Sequence, residues 1–233
     1  MNKEEFIKEV KKLGIEINEK MLEKLNIYYN LLIEENKKYN LTAITKEEDV
    51  YLKHFYDSLT AVKVINLNNQ SICDIGTGAG FPGIVLKIFF PNLTLTLVDS
   101  TLKKCNFLKK VVEQLNLNNV ITINNRIENY AKEVRENYDI VISRAVAPLK
   151  HLLEYGIPLL KVGGTIICLK GKIENETTNL EKYIIKLKIV EDKKIIFNLP
   201  IENSLRTIIS FKKQEKTSLQ YPRNYNEIKK KEL

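Results

Sequence analysis

From residue 71 onward the apolar positions come in short runs, at 72–75, 93–98, 119–123, 138–142 and 165–169. Between them lie longer stretches, 83–90, 101–115, 127–136 and 148–160, whose apolar residues suit a helix. Short apolar runs alternating with helical stretches predict a βαβ series on a parallel sheet, with strands covered on both faces. Later runs at 188–197 and 205–211 have no glycine-rich loop between them and predict an antiparallel hairpin closing the sheet's edge.

Ahead of the sheet the period is helical. Residues 18–38 open at Asn18, a good N-cap, and repeat Leu22, Leu25, Tyr28, Tyr29 and Leu32 on one face. Thr45-Lys46-Glu47-Glu48 reads as a capping box that opens a second helix carrying Val50, Leu52, Phe55, Leu59 and Val62. On that helix His54, Asp57 and Ser58 stand at i, i+3 and i+4 and share a face. The plain reading is a polar face with a local His–Asp pair. Three residues in one turn cannot align as a hydrolytic triad, and no G-x-S-x-G occurs. The chain is thus expected to divide into a helical N-terminal cap (1–66), an α/β core (67–213) and a C-terminal tail (214–233).

Composition narrows the class. With 44% apolar and 28% charged residues in a chain of 233, one sizeable core is expected. No run reaches the length of a membrane span, and Lys3, Glu4, Glu5 and Lys8 break the N-terminus, so neither anchor nor signal peptide is expected and the location should be cytoplasmic. Cys73, Cys105 and Cys168 are widely spaced, with two histidines in the chain, so buried thiols are expected and no metal. The net charge of +8 is unevenly placed. Residues 1–48 carry nine Lys against ten Glu, a net −1, whereas 212–233 carry six Lys and one Arg against three Glu, a net +4. The tail is either a solvated end or a phosphate-binding one.

The first strand runs into Asp74-Ile75-Gly76-Thr77-Gly78-Ala79-Gly80-Phe81-Pro82-Gly83. Alternate glycines permit positive φ and let a ligand approach the backbone. Gly78 to Gly83 also satisfies G-x-G-x-x-G, the nicotinamide dinucleotide pattern. Asp74 ahead of Gly76 makes the stretch D-x-G-x-G-x-G, which resembles the first motif of the AdoMet-dependent methyltransferases. That resemblance implies a class I, Rossmann-like methyltransferase sheet with AdoMet beside Gly76, Gly78 and Gly80.

Ligands in such sheets bind at the C-terminal strand ends. The second strand ends at Asp99, a carboxylate suited to ribose hydroxyls, and the third is followed by Ile127 and Glu128, where adenine can pack and hydrogen-bond. The fourth ends at Ser143-Arg144-Ala145-Val146-Ala147-Pro148, facing the methyl acceptor. Neither the N/D-P-P-Y/F of amino-group methyltransferases nor the nucleophilic Cys of cytosine-C5 enzymes stands there. An acceptor needing no deprotonation fits better. Guanine N7 is one, and Arg144 is the candidate to position it through O6, or to hold a phosphate. Lys161-Val162-Gly163-Gly164 leads into the fifth strand, and Lys170 and Lys172 at its far end are candidate RNA-binding cations with Arg223.

Together Asn40-Leu41-Thr42-Ala43-Ile44, His54 with Asp57-Ser58-Leu59, the glycine motif, Ile142-Ser143-Arg144-Ala145 and Tyr221-Pro222-Arg223 resemble the bacterial RsmG (GidB) family. The blocks span nearly the whole chain. The resemblance implies methylation of guanine N7 in the decoding-region loop of 16S ribosomal RNA, by a monomer without metal, and with no membrane partner. It places cofactor contacts on Gly76, Phe81, Ile127, Glu128 and Arg144. The chain departs from the family at Glu35, where relatives carry an aromatic residue, and at Asn226, Ile228 and Glu232, where they carry Gly and Pro. A nicotinamide-dependent oxidoreductase and a non-catalytic RNA-binding protein on the same fold are the alternatives.

Overall fold

The short apolar runs become the strands of one sheet in a computed structural model that describes residues 1–173 and 176–233. The strands β1 (Ser71–Ile75), β2 (Thr94–Asp99), β3 (Val120–Asn124), β4 (Tyr138–Arg144), β5 (Leu160–Lys170), β6 (Ile189–Asn198) and β7 (Leu205–Lys213) lie in the order β3-β2-β1-β4-β5-β7-β6. The first five pair in parallel. The expected hairpin forms, and its second strand, β7, is the one that pairs antiparallel with β5.

Successive strand residues serve two cores. Ile72, Ile140, Ile142, Ile167 and Ile208 join one cluster, while their neighbours Cys73, Val141, Ile166, Cys168 and Ile209 join the other. A strand's two-residue period sends them to opposite faces, and with both faces covered the runs read as continuously apolar.

On the first face lie α1 (Lys3–Lys12), α2 (Glu19–Tyr39), α3 (Glu47–Val50) and α4 (Asp57–Leu59), with a π-helical turn over Tyr51–Tyr56 between the last two. The same core takes in α5 (Gly83–Phe89) and α6 (Leu102–Gln114). The second face is covered by α7 (Ile127–Glu133), α8 (Leu149–Gly156), α9 (Leu180–Leu187) and α10 (Tyr225–Lys230). Phe6 meets Tyr51 edge-on at 5.2 Å, and Tyr28 stacks on Phe55 at 5.7 Å and Phe81 at 5.3 Å. The helical cap and the sheet therefore share one hydrophobic core.

Three local expectations need correction. The capping box at Thr45 does not form: Lys46 is the N-cap, without a side-chain bond, and the Thr45 carbonyl accepts from the Tyr29 hydroxyl. A box occurs instead at Asn2 with Glu5, where a side-chain amide oxygen takes the role given to threonine. The shared face of His54, Asp57 and Ser58 is buried, and the His–Asp pair is replaced by separate contacts to Arg144. The tail is neither frayed nor extended. Its helix buries Ile228, the Arg223 guanidinium grips the buried Glu154 carboxylate at 2.8 Å, and Glu232 pairs with Lys150. No Gly or Pro interrupts residues 225–230, so that segment is free to be helical.

All three cysteines are buried and free of disulfides. No helix among the described residues is long and apolar enough to cross a membrane.

Candidate active site

The loop after β1 is held open by Asp74. Its buried Oδ2 accepts from the Thr77 hydroxyl at 2.7 Å and from the Gly83 N–H at 2.8 Å, so one carboxylate oxygen ties the loop to the first turn of α5. Its Oδ1 has no hydrogen-bond partner. Burial raises the Asp74 pKa to about 6 against the bonds from Thr77 and Gly83, which lower it.

The three glycines do different things. Gly76, Gly78 and Gly80 all have positive φ, at 66°, 62° and 101°. A Cβ on Gly78 would meet nothing within 4 Å, so the space above it is open. A Cβ on Gly80 would lie 2.5 Å from the Tyr28 hydroxyl and 2.7 Å from Ile84. Gly80 thus makes room for Tyr28, whose hydroxyl donates to the Ala79 carbonyl, and it does not line either cleft at the strand ends.

Two clefts open at the C-terminal strand ends, where β1 and β4 part the sheet's winding. The larger, about 680 Å³, is lined by Asp99, Ile127 and Glu128, with Tyr225 and Lys229 of α10 contributing from the tail. The smaller, about 370 Å³, is lined by Thr42, His54, Gly78, Phe81 and Arg206. Gly76, Arg144 and Ala145 line both. The candidate residues are therefore brought together at a junction, with Asp99, Ile127 and Glu128 on one side and Gly78 and Phe81 on the other. Asp99 accepts N–H bonds from Gly78 at 3.0 Å and Thr101 at 2.8 Å, which aim its carboxylate and leave lone pairs for a ligand.

At the junction Arg144 is bound within the fold. Its Nη1 donates to the Lys53 carbonyl at 2.7 Å and lies 3.4 Å from Asp57, and its Nη2 is 2.9 Å from His54 Nδ1. The opposite oxygen of Asp57 takes Arg206 Nε at 3.1 Å. Phe81 packs against His54, ring centroids 4.3 Å apart, with the Arg144 guanidinium 5.2 Å from its centre. Burial, reinforced by Arg144, lowers the His54 pKa to about 3, so the imidazole is neutral. The π-helical turn carries His54 into this cluster; such turns are frequent at functional sites.

Among the candidate RNA contacts, Lys172 is exposed. Lys170 is 9% exposed and holds the Ala147 carbonyl and Glu176, both at 2.8 Å, and Arg223 holds Glu154 and the Lys231 carbonyl. Both ion pairs stitch the fold together. Among the lining residues not picked out as site residues in the sequence are Thr42, Arg206, Tyr225 and Lys229. Thr42 lies within Asn40-Leu41-Thr42-Ala43-Ile44, whereas the others reach the clefts from β7 and the tail and carry no local pattern.

The family model for rRNA small subunit methyltransferase G (GidB) matches residues 21–203. The chain belongs to that family. Proteins named ribosomal RNA small subunit methyltransferase G from Bacillus cytotoxicus and Bacillus cereus are 46% identical to it over 227 residues, covering 96% of this chain and 95% of theirs. Membership sets aside the oxidoreductase alternative. Among solved structures, the TYW2 protein of M. jannaschii in complex with AdoMet aligns with a TM-score of 0.56 at 16% identity, covering 73% of this chain and 79% of that one. Precorrin-6y C5,15-methyltransferase from Geobacter metallireducens aligns at 0.55 and 16%, covering 73% and 90%. At such identities the likeness is one of fold, a class I methyltransferase sheet. Glu35 is 7% exposed and takes Lys38 and Lys110 at 3.0 Å, joining α2 to α6 by charge.

Proposed function

We propose that this chain transfers the methyl group of AdoMet to N7 of a guanine in 16S ribosomal RNA, in the cytoplasm and as a monomer. The observation that carries the reading is the meeting of two clefts at Gly76, Arg144 and Ala145, one suited to a nucleoside and the other open to an acceptor.

The residues present fit the cofactor. Asp99 would hold its ribose, Ile127 and Glu128 its adenine, and the open backbone of Gly78 its methionine, while Gly76, whose free side is covered by the Val146 side chain, borders the junction. AdoMet supplies an activated methyl on a sulfonium. The core, 67–213, lines most of both clefts, and the cap, 1–66, adds Thr42, His54 and Asp57 to the smaller one. No side chain needs to remove a proton, because N7 attacks with a free lone pair. The neutral His54 and the Arg144 guanidinium, bonded to Lys53 and His54, accord with that: they fix a wall and act as no base.

Tritium transfer from AdoMet to small-subunit RNA, followed by mass spectrometry of the labelled nucleoside, tests the reading. N7-methylguanosine is expected. Label on another atom would overturn it, and no transfer at all would favour the non-catalytic RNA-binding alternative.

A further inference from the structure

The smaller cleft contains a hydroxyl that is forced to be a donor. Two groups face His54 Nδ1, the Arg144 Nη2 at 2.9 Å and the Lys53 carbonyl at 3.2 Å; that carbonyl already accepts from Arg144 Nη1 at 2.7 Å, and Arg144 carries only N–H groups, so the shorter contact makes Nδ1 the acceptor. In a neutral imidazole the proton then sits on Nε2, and Nε2 lies 2.9 Å from Thr42 Oγ1, which accepts it. The Ile44 N–H donates to the same oxygen at 3.1 Å. Both lone pairs of Oγ1 are thereby taken. What remains is its proton, on a residue that lines the cleft.

A threonine hydroxyl is ordinarily indifferent, able to donate or to accept. This one has lost half of that freedom. Beside N7, guanine presents the O6 acceptor and adenine the N6 amino donor. N7 itself must stay unbonded to attack, so recognition on that edge has to go through the neighbouring group. We infer that the Thr42 hydroxyl donates to O6 of the target guanine and so excludes adenine, with Arg144 and His54 acting as positioning residues that set the direction of its hydrogen bond. An adenine amino group there would face a proton with no lone pair to receive its own, leaving two buried donors opposed, the kind of mismatch that polar sites reject strongly. The inference rests on the guanine-N7 reading.

Single-turnover methyl transfer to RNA carrying guanine or 2-aminopurine at the target position tests it, since 2-aminopurine keeps N7 and lacks O6. The wild-type protein is expected to transfer about tenfold or more slowly to 2-aminopurine. Thr42→Val should slow transfer to guanine by a similar factor while leaving 2-aminopurine unchanged, so that its preference disappears, and Thr42→Ser should restore the preference. A merely structural role would lower both rates equally and keep their ratio. That outcome, or an unaltered Thr42→Val rate on guanine, overturns the inference while N7-methylguanosine from the wild type leaves the parent reading standing. Label away from N7 in the wild type would overturn both.

Discussion

Arg144 Nη2 stands 2.9 Å from Nδ1 of His54, a cation pointing its N–H at an imidazole. Burial first, and this charge second, lower the His54 pKa to about 3. The methyl-transfer rate should therefore show no limb from this histidine between pH 5 and 8, and its Cε1–H resonance should not titrate in that range. A proton uptake near pH 6.5 would contradict the engaged geometry. The sign for stability follows from the depressed folded-state pKa: the contribution is present above 6.5 and is lost as pH falls towards 3.

Asp74 works in the opposite sense. Its folded-state pKa is raised from 3.8 to about 6 by burial, so the stabilisation of the protonated form is full below 3.8 and lost as pH rises through 6. Asp74→Asn can still accept from Thr77 and Gly83 and removes this titration. Between pH 4 and 7 the variant should gain about 3 kcal/mol relative to the parent, measured by urea unfolding across pH. A constant difference would mean that the carboxylate is not buried as described.

The glycine loop offers a separation of stability from binding. Gly80→Ala drives a methyl group into Tyr28 and Ile84 and should destabilise the fold by about 2–4 kcal/mol. Gly78→Ala meets open space, so it should cost only about 1–2 kcal/mol for its positive φ. Its methyl group faces the cleft, however, and calorimetric titration with S-adenosylhomocysteine should show the larger loss there. Equal effects of the two substitutions on affinity would reject the division of roles between these glycines.

Much of this was legible in the chain because local pattern and tertiary need coincide. The βαβ period from Ile72 to Leu169 is a direct consequence of strands covered on both faces, and Asp99, Ile127, Glu128 and Arg144 follow once ligand position at strand ends is applied. The role of Gly80 was not legible, since three alternate glycines look alike until one sees that Tyr28, 52 positions earlier, fills the space beside it. The ion pairs of Lys170 and Arg223 were not legible for a related reason. A basic residue in a turn or tail looks solvated in sequence, and the buried or half-buried Glu154 and Glu176 that claim these two lie far away or beyond a loop. Arg206 was invisible because its meaning depends on β7 lying beside β5. The helical tail was missed through its departures from the family's Gly and Pro positions, which left conformation open.

That tail supports the last expectation. Arg223 meets both oxygens of Glu154, a carboxylate with 0% of its side chain exposed, while Tyr225 and Lys229 on the same segment line the larger cleft. Removing the cation leaves a buried charge without its partner, so Arg223→Ala should cost about 3 kcal/mol, more than any surface pair would. Because the pair anchors α10, hydrogen exchange should accelerate over residues 221–233, and S-adenosylhomocysteine should bind several-fold more weakly once that wall is loosened. Arg223→Lys keeps the charge without the two-pronged geometry and should fall between the parent and the alanine variant. If exchange accelerates in the tail while ligand affinity stays at the parental value, α10 borders the cleft without contributing to binding. In that case the basic segment would act through its lysines alone, and its removal should instead flatten the salt dependence of RNA binding.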